Sequence, residues 1–216
     1  DLGIDIVLKE QEGWDVNKQI EDIDELEKSG CKAFVLCSVE SDLMRKKIDE
    51  LTEKGYPVVL LNNDLPGSKR LCFVGPDYLK SGRVAATMVD KCRQNTPLKI
   101  LVVVGYKEHL GHKTRVEGFI SELKARRNDF EIVDVIEGKD QDIITQQVTM
   151  KAFLAHPEIN VVYMATGSGV SGLGAAIIAD AVHQRFVVAC DEIYTTKELV
   201  KNDIIDFVIC QSPVVQ

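Results

Sequence analysis

The 216-residue chain is long enough to bury one large core or two small ones, and its 45% hydrophobic and 28% charged residues suit a globular fold. Its 26 Lys and Arg against 34 Asp and Glu leave a net charge of −8, which argues against a polypeptide that grips nucleic acid by itself, because phosphate neutralisation dominates that affinity. No apolar run approaches the ~20 residues of a membrane-crossing helix, and the opening DLGIDIVLKEQEG lacks a secretory-signal pattern and reads as an excerpt that starts in a strand.

From the N-terminus, IDIVL reads as a strand. A helical period over residues 15–29 then puts Val16, Ile20, Ile23 and Leu26 on one face and stops at Gly30. KAFVLC is the next strand, and residues 42–54 gather Met44, Ile48 and Leu51 before stopping at Gly55. PVVLLN and LCFVG follow with no helix between them, the one break in rhythm and the expected lobe boundary. Asp77 is placed to cap a helix through Ala85, Ala86, Met88 and Val89. KILVVVG, EIVDVI, NVVYMA, FVVAC and DFVIC then alternate with helical stretches over 113–126, 142–155, 169–181 and 195–202. The basic cluster KARR, 124–127, falls at a helix end, where cations suit the dipole. Strands poor in charge that alternate with helices predict parallel sheets covered by helices.

The run PVVLLNND ends a buried-type strand in Asn62, Asn63 and Asp64 together. These are turn formers, but open α/β sheets also hold ligands at the carboxyl ends of parallel strands. Other strand ends carry Thr166, Asp191 and Gln211, and Lys113 and Arg115 follow KILVVVG. Residues 167–172, GSGVSG, match the dinucleotide fingerprint after a strand and before a helix, with Asp191 near the place of a ribose-binding acid. An NAD-dependent enzyme is therefore a rival, weakened because too little chain follows Asp191 to hold the second half of the cofactor. His109 and His112 have metal-like spacing, but read as surface histidines with only Glu108 as a third ligand. No GxSxG elbow and no paired acid and base stand out, so the expectation is a non-enzyme without metal or cofactor. Six cysteines without a CxxC pair, four of them in apolar runs as small hydrophobes, lean towards a reducing cytoplasm.

The segments YPVVLLNND, FVGPDYLKSGRVAA, KTRVEGF, LAHPEINVVYMATGSGVSGLGAAI, VVACDE and DFVICQSP resemble, in order and spacing, the type I periplasmic-binding-protein fold. The chain looks most like the effector-binding domain of the lactose-repressor family of transcription regulators. The resemblance implies an α/β protein of two lobes, parallel sheets flanked by helices, that close on a small sugar or related polar metabolite. Residues 1–76 would be part of the first lobe, 77–211 the second, and 212–216 the start of a return to the first, leaving the first lobe and the C-terminus incomplete in this chain. It also implies a ligand set of Asn62, Asn63, Asp77, Lys113, Arg115, Thr166, Asp191 and Gln211, of planar groups suited to polyols. Asp191 and Arg115 would stand at a cleft wall, so that truncating either loses ligand and spares the fold. Partners implied are operator DNA, read by a helix-turn-helix headpiece absent from this chain, and a second subunit in a homodimer, with no membrane. The alternative with the same fold is an extracytoplasmic sugar-binding protein of an ABC transporter; the NAD enzyme is third. Thr166-Gly167 departs from the family's usual Asn-Asp, and Tyr106 and Tyr194 are candidate stacking aromatics.

Overall fold

The structure, a computed structural model, describes residues 3, 5–11 and 15–211. After Gly75 the chain passes from one compact unit into another.

The first unit alternates α1 (Val16–Lys28), β1 (Phe34–Leu36), α2 (Asp42–Glu53) and β2 (Val58–Leu61), then runs directly into β3 (Cys72–Val74). Each helix begins where a side chain can take an orphan amide. Asp15 accepts from the Asn17 N–H at 2.9 Å, and Ser41 accepts from the Met44 N–H at 3.0 Å. The three strands pair in parallel in the order β1-β2-β3. Ile23 of α1 and Met44, Ile48 and Leu51 of α2 bury one face of the sheet against Phe34, Leu36, Val58 and Leu60. On the other face Val35 is 67% exposed and Leu61 39%.

The expected strand IDIVL does not form over its described residues 5–8, and Ile6, Val7 and Leu8 stand exposed. An apolar run becomes a strand only when a neighbour takes its amides and carbonyls. No strand of the described chain pairs with this one.

The second unit opens with α3 (Tyr78–Cys92), then β4 (Leu98–Val104), α4 (Leu110–Arg126), β5 (Phe130–Glu137), α5 (Asp142–Ala155), β6 (Val161–Met164), α6 (Val170–Ala179), β7 (Phe186–Cys190), α7 (Tyr194–Lys201) and β8 (Phe207–Ile209). Its five strands are all parallel, in the order β5-β4-β6-β7-β8. The sheet is covered on both faces, which is why β4 reads LKILVVV without polar alternation. Ile100, Val102 and Val104 point to Ala85, Ala86, Val89, Phe119 and Leu123 of α3 and α4. Leu101 and Val103 point the other way, to Ala152, Phe153, Val170, Leu173 and Ala176 of α5 and α6. After β5 the chain crosses back over β4 to lay down β6, so connections leave the ends of β4 and β6 in opposite directions. That divergence is the topological switch point, where a doubly wound sheet opens a crevice for ligand.

Of the cysteines read as small hydrophobes, Cys190 is buried, but Cys37, Cys72 and Cys210 are exposed at strand ends. Within KARR, Arg127 folds onto the carbonyls of Arg93 at 3.1 Å and Thr96 at 2.9 Å, as a tie behind β4.

Candidate ligand-binding site

Arg115 lies one and a half turns into α4 and is only 2% exposed. Its Nη1 donates to the Ala165 carbonyl at the end of β6, and its Nη2 to Asp191 Oδ1 beyond β7, each at 2.9 Å. The guanidinium lies 5.0 Å from the centre of the Tyr78 ring, within cation–π range. Asp191 has φ +70, a left-handed conformation that aspartate tolerates, and its N–H continues the ladder to the Ile209 carbonyl at 2.9 Å. Gln211 donates its Nε2 to the same Asp191 Oδ1. Three groups foreseen from sequence thus meet in one array on neighbouring strand ends. Asp191 Oδ2 accepts from none of the described residues, and the side chain is 26% exposed.

At the switch point itself the structure assembles a second cluster. Thr166, 4% exposed, follows β6 and donates to Asp140 Oδ1 at 3.3 Å while accepting from the Ser168 N–H at 3.2 Å. His112, on the first turn of α4, is 8% exposed and contacts the Tyr106 backbone at 3.3 Å. His109 lies with its ring centre 4.4 Å from that of His112. The reading of this pair as surface histidines is therefore corrected: both are drawn in where α4 begins against β4, and the spacing of a helical turn stacks them. Burial, reinforced by the neighbouring His112 and by the Arg115 charge, pushes His109 down to about 4, and burial first of all lowers His112. Burial thus disfavours the charged form of both rings. Among the described residues no group of three His, Cys, Asp or Glu side chains could hold a metal.

In the first unit Asn62 is exposed at φ +62, and its N–H bonds the Val74 carbonyl at 2.9 Å. Asn63 is 7% exposed, reaches the Ser38 carbonyl only at 3.5 Å, and keeps a buried Oδ1 without a hydrogen bond. Asp64 closes its own turn, accepting from the Leu65 N–H at 2.8 Å and pairing with Arg70 at 2.7 Å. Asp77 caps α3 by accepting from the Lys80 N–H at 2.8 Å. Lys113 is exposed, two residues and more than half a turn from the buried Arg115, so the structure does not bring those two together. Tyr194 is 79% exposed at the start of α7. Sequence reasoning missed Asp140, Tyr78 and the depth of His112, because each takes its place only through the strand order.

A doubly wound parallel sheet with carboxylates, amides and hydroxyls gathered at the carboxyl ends of its strands is the layout of a solute-binding α/β protein. The chain belongs to the periplasmic binding protein domain family, whose model matches residues 1–216. It is 27% identical over 183 residues to the periplasmic protein TorT of Escherichia coli strain K12, covering 83% of this chain and 48% of that protein. The chain thus spans about half the length of the curated relatives it matches. Two solved structures share its fold. One is GanP, a glucose-galactose binding protein from Geobacillus stearothermophilus, with TM-score 0.80 and 17% identity over 88% of this chain and 68% of that one. The other is an ABC transporter solute-binding protein from Burkholderia graminis in complex with D-arabinose, with TM-score 0.82 and 16% identity over 88% of this chain and 67% of that one.

These likenesses correct the expectation of a cytoplasmic protein, since the matched family and TorT are periplasmic. A cysteine count reports how thiols are spaced and not which compartment holds them. The likenesses lend no support to operator DNA or a homodimer, and the alternative of an extracytoplasmic binding protein fits them better than a regulator does.

Proposed function

We propose that this chain is the solute-binding portion of an extracytoplasmic receptor for a sugar-like polyol, serving uptake or detection and performing no chemistry on its ligand. The observation that carries the reading is the Asp191 carboxylate. Arg115 and Gln211 both hold Oδ1, fixing the group in place, while Oδ2 accepts from no described residue. A fixed carboxylate edge beside an amide takes two neighbouring hydroxyls at little ordering cost. In this reading Asp191, Gln211 and Thr166 face the ligand, and Arg115 positions Asp191 from behind. Asn62 and Asn63 are the first unit's polyol-binding groups, and Asn63 keeps a buried Oδ1 without a hydrogen bond. Lys113, turned to solvent, and Asp77, engaged in its helix cap, stand outside the set. The sugar ligands named for the two solved structures support the same class.

The test is thermal unfolding against a panel of pentoses, hexoses and linear polyols. A true ligand stabilises by about 2.7 kcal/mol at a hundred times its Kd, and Asp191→Asn removes the response. Stabilisation by NAD or NADP alone, with no polyol response, overturns the reading.

A further inference from the structure

We infer that the ligand of this site carries a basic nitrogen as well as hydroxyls, as an amino sugar or amino polyol does, and that Asp140 is the residue that selects it. The inference rests on the polyol reading above and narrows it.

Asp140 is delivered by an unusual turn. The Gly138 N–H bonds the Val104 carbonyl at 2.8 Å and the Lys139 N–H bonds the Gly105 carbonyl at 2.9 Å, so the β4–β5 ladder runs on past both strands. Lys139 and Asp140 are then both left-handed, at φ +52 and +55, a conformation that costs a non-glycine residue free energy and is kept where the surroundings impose it. The turn brings the Asp140 carboxylate back over the ends of β4 and β6. It comes so close that a Cβ on Gly105 would sit 2.0 Å from Asp140 Oδ1 and 2.8 Å from His112 Cε1. Glycine at 105 is what lets carboxylate and imidazole approach the strand end together.

Half-buried there, Asp140 has one side-chain hydrogen bond among the described residues, from the neutral Thr166 hydroxyl at 3.3 Å. No Lys or Arg among the described residues pairs with it: Arg115 is taken by Asp191, and the neighbouring Lys139 is exposed. The histidines are poor sources of counter-charge, since burial disfavours the charged form of both rings. Desolvation pushes the Asp140 carboxyl up, the mark of a partly buried acid that lacks a cation. Of these two carboxylates, Asp191 is balanced by Arg115, and Asp140 is balanced by no Lys or Arg among the described residues. A neutral sugar leaves the imbalance in place and an anionic one aggravates it. A ligand ammonium supplies the missing charge and its hydrogen bonds.

The test is calorimetric titration of matched pairs at neutral pH: glucosamine against glucose and N-acetylglucosamine, galactosamine against galactose, and N-methylglucamine against sorbitol. The expected result is that at least one amine binds about tenfold or more tighter than its uncharged counterparts. Asp140→Asn, which keeps the side-chain shape and the left-handed tolerance, should abolish that preference. Amines binding no tighter than neutral partners, or a preference that survives in Asp140→Asn, overturns the inference and leaves the polyol reading standing. If only hydroxyl-free amines such as propylamine bind, and do so through Asp140, the polyol reading fails and the inferred role of Asp140 holds. If nothing in the panel binds, both fail.

Discussion

Arg115 shows how one side chain can be part of a fold and part of a site. Its Nη groups are the partners of a buried carbonyl and a part-buried carboxylate, so its removal takes a donor from the carbonyl and leaves Asp191 without its cation, held by Gln211 alone. Breaking a buried pair from one side costs about 3–5 kcal/mol, and Asp191, being 26% exposed, places this case at the lower end. Arg115→Ala is therefore expected to lose about 3 kcal/mol of stability, read by urea unfolding. That differs from the expectation that truncation there spares the fold, and the same measurement decides between them. Arg115→Lys, able to reach one of the two acceptors, should lose less. An alanine variant within about 0.5 kcal/mol of the parent would show that the array bears no structural load.

At the scale of elements, the sequence's strongest motif turns out to serve helix packing. Gly169 takes φ +82 at the N-cap of α6, and a Cβ on Gly172 would sit 1.8 Å from the Asp142 carbonyl oxygen, at the head of α5. The glycines let α6 start abruptly and lie against α5. Gly172→Ala should push the two helices apart at a cost of about 1–3 kcal/mol, measured by denaturant midpoint. A neutral outcome would mean the α5 terminus is free to yield. The same element explains what sequence could reveal. Among the described residues, the eight strands were legible as apolar runs and the seven helices as amphipathic or capped stretches, because period and caps are local. IDIVL failed since a strand also needs a partner, which lies outside its own residues. Asp191 and Gln211 were visible as polar residues at apolar strand ends, and Arg115 as a cation in the stretch after KILVVVG. Asp140 was not, for it follows a β5 whose apolar residues are only partly buried, and nothing local tells that two left-handed residues will fold it over β4.

The whole chain is two hydrophobic systems of unequal strength. The second unit has a core on each face of a five-stranded sheet, sealed by α3 and α4 on one side and α5 and α6 on the other. The first has three strands and a core on one face only, with Val35, Leu61 and Leu71 exposed. Stability from burial scales with apolar area removed from water, about 25 cal/mol per Å². A unit of some 75 residues with one sheet face open is marginal on that ground. Calorimetry of the unliganded chain should therefore give two transitions, the first unit melting at lower temperature. A fragment of residues 76–216 should reproduce the upper transition with near-native far-UV circular dichroism. A single sharp transition whose calorimetric and van't Hoff enthalpies agree would sink this, because it would mean that the two units unfold as one cooperative body.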